Sequence, residues 1–298
     1  MLRGLIAATD PAGIVAVVNT GDDVVLHGLH VSPDLDTVTY TLAGAINAET
    51  GWGLEGETWA AMDALERYSS ELSWFRLGDR DLGTHLYRTQ RLRDGAPLST
   101  ISGEIALAWN LELRVLPMSD DRVETRVDLV DEGEVGFQDY FVRRRHAVPA
   151  KAVRYAGADD ARPAPGVLDS LEEAAIVLIC PSNPILSIGP ILAVSGVRAA
   201  VERRREATVA VSPIVDGVAL KGPADRLLRE LGHESSVVGV ARLYASLAAT
   251  LVIDGVDEGL AAAVESEGMR CIVAPTIMHG PAEAAALART CLEAVVAP

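Results

Sequence analysis

Carboxylates cluster early in the chain. In VVNTGDD (17–23) an apolar run leads into Asn19, Thr20 and Gly21, then the adjacent acids Asp22 and Asp23. SPDLDTVTY (32–40) follows, with Asp34 and Asp36 beside a helical pattern. Acids at the carboxyl end of a buried parallel strand stand where α/β sheets bind ligands. A few carboxylates together with substrate phosphates are also what Mg²⁺ prefers. Taken singly, the first segment reads more plainly as an acidic turn, since Asn, Gly and Asp are turn formers. The second reads as a helix start with Asp36 or Thr37 as N-cap, or else as a metal ligand or general base.

Further along, WFRLGDRDLGTH (74–85) packs Arg76, Asp79, Arg80, Asp81 and His85 around a glycine turn. These charges either pair with one another at the surface or belong to a site, and His85 reads first as a helix-start residue. Trp52, Trp59 and Trp74 fall close together, as core or as a wall for a flat aromatic ligand. Three more segments each follow a strand-like run: PMSDD (117–121), CPSNPILSIGP (180–190) and SPIVDG (212–217), the last leading to Lys221, Gly222 and Pro223. Their hydroxyl, amide and backbone N–H groups suit phosphate oxygens. Gly189-Pro190 reads as a helix opening with proline near its first turn. Together the three strand ends predict a phosphate or nucleotide cradle.

Short runs rich in branched residues must position these groups: 14–19, 113–117, 124–130, 175–180, 208–213, 250–254 and 270–275. Most are continuously apolar, as strands buried on both faces are. Helical patterns lie between them at 37–46, 57–69, 84–92, 197–205, 223–231 and 281–296. The alternation predicts an α/β fold with a mainly parallel sheet. Residues 123–143 break it: ETRVDLV, a DEG turn and EVGFQDYFVRR predict an inserted antiparallel hairpin. ARPAPG (161–166) is the most linker-like stretch.

Composition narrows the function. The 298 residues carry 26 Lys+Arg against 42 Asp+Glu, a formal net charge of −16. Nothing so acidic coats a polyanion, so nucleic acid is not the expected partner, although a nucleotide-sized ligand is compatible. Arg143–Arg145 and Arg203–Arg205 are the dense basic spots and read as solvated surface. The greasiest stretch, 240–256, is interrupted by Arg242 and Asp254, so no membrane span is expected. MLRGLIAATD lacks the long apolar core of a signal peptide. Cys180, Cys271 and Cys291 are isolated, which suits reduced thiols in a cytoplasmic protein.

VVNTGDD, SPDLDTVTYTL, GWG, LGDRDLGTHLYRT, LPMSDDRVET, FQDYFV, PSNPILSIGPIL, SPIVDG and GPA occur in that order. In combination the chain resembles the 2-phospho-L-lactate transferase family of coenzyme F420 biosynthesis, from near Leu2 to the C-terminal helix. The resemblance implies a Rossmann-like α/β core with additional helices, one transferase domain over 1–298, and a homodimer. It implies that a ribityl hydroxyl of the deazaflavin FO attacks the phosphorus next to a three-carbon acid on a guanosine diphosphate donor. GMP leaves, F420-0 or its dehydro form results, and Mg²⁺ is required. Lactate, enolpyruvate and glycerate remain open as the acid.

Residue by residue, the resemblance implies Asp36 and Arg76 as FO contacts, with Asp36 also orienting the hydroxyl or accepting its proton. It implies Asp22, Asp23 and Asp34 as Mg²⁺ ligands, and Ser182 and Asn183 as the loop facing the donor. Ser119, Asp120 and Ser212 extend that cradle. The family opens with a strand and a Gly-rich loop of GGxGG type, whereas this chain starts within the helix that follows. The resemblance therefore predicts that IVAVVN is less well covered at its edge. It also leaves, as an alternative, a non-catalytic FO- or nucleotide-binding protein.

Overall fold

The computed structural model describes residues 1–69, 71 and 73–295. Helix α1 (Leu2–Ala8) precedes strand β1 (Val15–Val18), the hairpin strands β2 (Val24–Leu26) and β3 (Leu29–Val31), and helix α2 (Pro33–Leu42). Helices α3 (Ala60–Glu66), α4 (Asp81–Arg93) and α5 (Leu98–Ala108) lead to β4 (Arg114–Pro117). Strands β5 (Glu124–Leu129), β6 (Gly133–Gly136) and β7 (Ala150–Ala156) come next, then α6 (Val167–Glu173) and β8 (Val177–Ile179). Helices α7 (Gly189–Ala193) and α8 (Val197–Arg203) precede β9 (Thr208–Val211) and the short strands β10 (Ile214–Val215) and β11 (Val218–Ala219). The chain finishes with α9 (Ala224–Glu230), α10 (Val237–Tyr244), β12 (Thr250–Ile253), α11 (Ala261–Ser266), β13 (Arg270–Val273) and α12 (Pro281–Ala294).

Parallel strands form the frame. One sheet has the order β13-β12-β9-β8, and β1 pairs in parallel with β4. The apolar runs follow from burial on both faces. Val209, Val211 and Val252 pack toward Leu287 and Cys291 of α12, whereas Ala210, Leu251 and Ile253 pack toward Val237, Val240 and Tyr244 of α10. That alternation is the two-residue period of a strand with helices on either side. Among the described residues no single helix is long and apolar enough to cross a membrane.

Among the described residues, β1 has a strand partner on one edge only, and so does β8. Their free edges line one cavity of about 950 Å³, closed by residues of α1, α2, α7 and α8.

The antiparallel part differs from the expected hairpin. β5 is the centre of a three-stranded sheet, β6-β5-β7, and EVGFQDYFVRR is a strand only over Gly133–Gly136. The chain then coils into a π-helical turn, Asp139–Arg143. Its aromatic residues explain the change. Tyr140 is fully buried against Val127 and Leu129, and Phe137 stacks on Phe141 at 5.2 Å, so core packing overrides strand propensity. Arg143 therefore ends a helical turn and Arg144 and Arg145 follow it, with Arg144 paired to Asp139 at 3.0 Å. ARPAPG is not a loose linker: Ala161 and Ala164 are buried and Pro163 bridges to Ser119. Helices α5, α6, α10 and α11 lie outside the helical patterns read from the sequence. The last predicted helix ends at Ala294, and Val296 lies outside the described residues.

Candidate active site

β1 delivers its chemistry at its carboxyl end. Asn19 is buried and works in two directions: Oδ1 accepts the Gly21 N–H at 2.7 Å, and Nδ2 donates to Asp34 Oδ2 at 3.0 Å. The turn is thereby tied to the first turn of α2. Ser32, the residue that starts α2, adds a second tie by donating Oγ–H to Asp23 Oδ2 at 2.6 Å. Gly21 is required by crowding, because a Cβ there would stand 2.6 Å from Thr125 Oγ1. Gln138 Nε2 donates to the Asp22 carbonyl at 2.9 Å and fixes the turn from the start of the π-helical turn that follows β6.

These ties gather Asp22, Asp23 and Asp34. Burial pushes all three carboxyl groups above their usual range, and the charge of Asp34 pushes Asp22 further. Asp22 Oδ1 and Asp23 Oδ1 are buried without a hydrogen-bond partner, as are the hydroxyls of Thr20 and Thr125. Leaving buried carboxylate oxygens unpaired is costly. Asp22 Oδ1 and Asp23 Oδ1 offer hard-oxygen lone pairs of the kind a divalent cation such as Mg²⁺ takes together with substrate phosphates.

Asp36 has different neighbours. It lies inside α2, so neither it nor Thr37 is the N-cap; Ser32 holds that position. The buried Arg88 forks onto its carboxylate, with Nη1 at 3.1 Å from Oδ2 and Nη2 on Oδ1. His85 Nδ1 stands 3.7 Å from Asp36 Oδ2, and its Nε2 stands 3.2 Å from Asp81 Oδ2. Tyr40 donates its hydroxyl to Asp81 Oδ1 at 2.6 Å. Asp81, His85 and Arg88 share one face of α4, as their i, i+4, i+7 spacing requires. Arg88 had not been singled out from the sequence, although that spacing was its available signal. His85 is no simple helix-start residue: it is 1% exposed.

Across the cavity, Ser182 and Ser187 face the side that Asn19 and Asp34 line. Asn183 Oδ1 accepts the N–H groups of Ile185 and Leu186 at 2.9 and 3.1 Å. It caps a π-helical turn, Pro184–Ile188, and α7 then opens at Gly189-Pro190 with the proline in its first turn, as the sequence suggests. A Cβ at Gly189 would stand 1.9 Å from the Tyr155 hydroxyl, which donates to the Ile185 carbonyl at 2.6 Å.

The other cradle residues are engaged by the fold. Ser119 donates to the Arg162 carbonyl at 2.6 Å and accepts the Asp121 N–H at 3.0 Å. Asp120 accepts the N–H and hydroxyl of Ser99, at the start of α5. Ser212 closes a tight turn on Ile214, donating at 2.9 Å and accepting at 3.1 Å. Arg76 pairs with Asp63 and lies 5.4 Å over the Trp59 ring. Trp74 packs in a small core with Met62 and Leu77, while Trp52 is exposed. The structure thus brings Asn19, Asp34 and Ser182 to one cavity, keeps Asp22 and Asp23 buried beside Asp34, and turns Ser119, Asp120 and Ser212 to structural work.

The fold is an α/β frame with polar side chains gathered beyond strand carboxyl ends. Two crystal structures of the Bacillus halodurans protein BH3568, one titled as a UPF0052 family member, share it. Their TM-scores are 0.61 and 0.59 at 17% and 15% identity, over 98% of this chain and 94% and 95% of those chains. The family model described as 2-phospho-L-lactate transferase CofD matches residues 1–241. Proteins named phosphoenolpyruvate transferase are 46% identical in Kitasatospora aureofaciens and 42% in Mycolicibacterium smegmatis. These matches cover 98% and 94% of this chain, and 92% and 87% of the relatives. The chain belongs to the 2-phospho-L-lactate transferase CofD family, and is by that membership an enzyme that transfers a phosphate-bearing group.

Proposed function

We propose that the chain moves a phosphoenolpyruvyl or phospholactyl group from a guanosine diphosphate-linked donor to the ribityl hydroxyl of FO. The hydroxyl oxygen bonds to the phosphorus next to the acid, the bond from that phosphorus to the GMP oxygen breaks, and the hydroxyl proton is released. The relatives named phosphoenolpyruvate transferase favour enolpyruvate as the acid. The observation that carries the reading is that Asp22 and Asp23, each with an unpartnered oxygen, lie beside Asp34, which lines the same cavity as Ser182. Mg²⁺ held by these acids would neutralise charge on the diphosphate.

The protein's own residues position the reactants. Asn19 holds Asp34 toward the cleft, and Ser32 holds Asp23. Ser182 supplies a hydroxyl for a donor phosphate oxygen. Asp36 is fixed by Arg88 and keeps lone pairs through which it orients the attacking hydroxyl. Arg76 and Trp59 present a cation–aromatic edge for the flat deazaflavin.

The test is a single-turnover reaction with FO, Mg²⁺ and enolpyruvyl- or lactyl-diphosphoguanosine, with GMP and the FO product followed by mass spectrometry. GMP release that depends on both FO and Mg²⁺ is expected. FO binding with no GMP release would instead establish a non-catalytic binding protein.

A further inference from the structure

Asp36, Asp81 and His85 each offer a ligand atom, and the three atoms lie within 4.8 Å of one another. All three come from the α2–α4 contact. His85 is buried, and its Nε2 makes no well-formed hydrogen bond although Asp81 Oδ2 is 3.2 Å away. Two carboxylates and an imidazole at this separation are a complete half-shell for a transition-metal ion. Arg88 is what stands there. Its guanidinium takes both oxygens of Asp36, lies 3.4 Å from His85 Nδ1, and reaches the His30 carbonyl at 3.3 Å. Its charge also acts on Asp23 of the neighbouring acidic group.

We infer that Arg88 is a built-in cation: it fills a metal site formed by Asp36, Asp81 and His85, and so confines divalent metal to Asp22, Asp23 and Asp34. An arginine suits this task because it stays charged and forks onto a carboxylate in a fixed plane. A divalent cation bound beside it would meet a like charge and an acid both of whose oxygens already accept from the guanidinium. Asp36 therefore stays free of metal. Arg88 acts through Asp36 and is a positioning residue. The inference rests on the proposed metal role of the three neighbouring acids, and its test separates the two.

The test counts Mn²⁺ bound to the full chain by electron paramagnetic resonance, and reads nitrogen coupling to tell whether histidine is a ligand. The parent protein should bind one ion with no histidine coupling. Arg88→Ala should bind a further ion with histidine coupling, and Mn²⁺ should raise its melting temperature more than the parent's. Arg88→Lys, which keeps a cation in place, should gain no ion. A second ion or a histidine-coupled ion in the parent overturns the inference, and that measurement needs no variant to fold. No ion in the parent but one histidine-coupled ion in Arg88→Ala supports the role of Arg88 while removing the metal reading of Asp22, Asp23 and Asp34. A folded Arg88→Ala that gains no ion overturns the inference and leaves that reading standing if the parent binds one.

Discussion

Asp22 follows β1 and Asp254 follows β12, each beyond the carboxyl end of a parallel strand. Their surroundings are opposite. Asp254 accepts the Val256 N–H at 3.2 Å, the Thr276 N–H at 2.8 Å and the Thr276 hydroxyl at 3.0 Å. Burial raises its carboxyl pKa, but these donors outweigh burial and hold it below the ordinary value. Asp22 is also buried, yet one of its oxygens has no partner and the acids Asp34 and Asp23 stand near it. The same residue type at the same kind of strand end serves the fold in one region and is left unsatisfied in the other. An unsatisfied buried acid persists where something else completes it.

The largest effect should come from the charge that is fully paired. Arg88→Met removes one partner of a buried ion pair and leaves Asp36 uncompensated, so it should cost about 3–5 kcal/mol in urea unfolding. A loss under about 1 kcal/mol would mean that the pair is not needed for stability, and the contrast with Asp22 would weaken. Asp22→Asn should do the reverse. Turnover should fall about 10²- to 10³-fold, as when a group stabilising developing charge is lost. Stability should stay level or rise by about 1–2 kcal/mol, because a buried unpaired charge is removed. Destabilisation with turnover intact would place Asp22 with Asp254.

Asp254→Ala sharpens the comparison through pH. Its folded pKa lies below the reference value of 3.8. Its stabilisation is therefore present above that value and is lost as pH falls through the folded pKa. Near neutrality the variant should be about 1–3 kcal/mol less stable than the parent. The gap should narrow as the pH drops below about 4. Urea midpoints measured across that range would show it, and a pH-independent gap would assign the loss to packing.

Much of the frame and part of the site could be read directly. β9 and β12 are buried on both faces, so their sequences are apolar throughout, and the polar residues after β1 and β8 stand out against them. Asn19, Asp34 and Ser182 were legible for that reason. Arg88 was not, because an arginine in HLYRT looks like the solvated side of a helix until a partner in another helix is known. EVGFQDYFVRR misled in the opposite sense: its alternation suits a strand, and only the burial of Tyr140 against β5 turns it into a coil. The hydroxyls of Ser119 and Ser212 carried no mark of their own, since a phosphate-binding serine and a turn-closing serine share one local sequence.

Ser212 supplies the smallest and most discriminating prediction. Its hydroxyl both donates to and accepts from Ile214, two residues on, in a buried turn at the end of β9. Ser212→Ala removes that closure and leaves the Ile214 N–H and carbonyl short of a partner, a loss of about 1 kcal/mol in unfolding free energy. Because the hydroxyl is turned onto its own backbone, the KM for the nucleotide donor should stay near that of the parent. Ser182→Ala should show the complementary pattern, a raised KM with unchanged stability, since no backbone contact of that hydroxyl has to be replaced. Paired kinetics and unfolding on the two variants would then divide the serines at strand ends as the two aspartates divide. A raised KM in Ser212→Ala with no change in stability would return β9 to the cradle and extend the donor site across the four-stranded sheet.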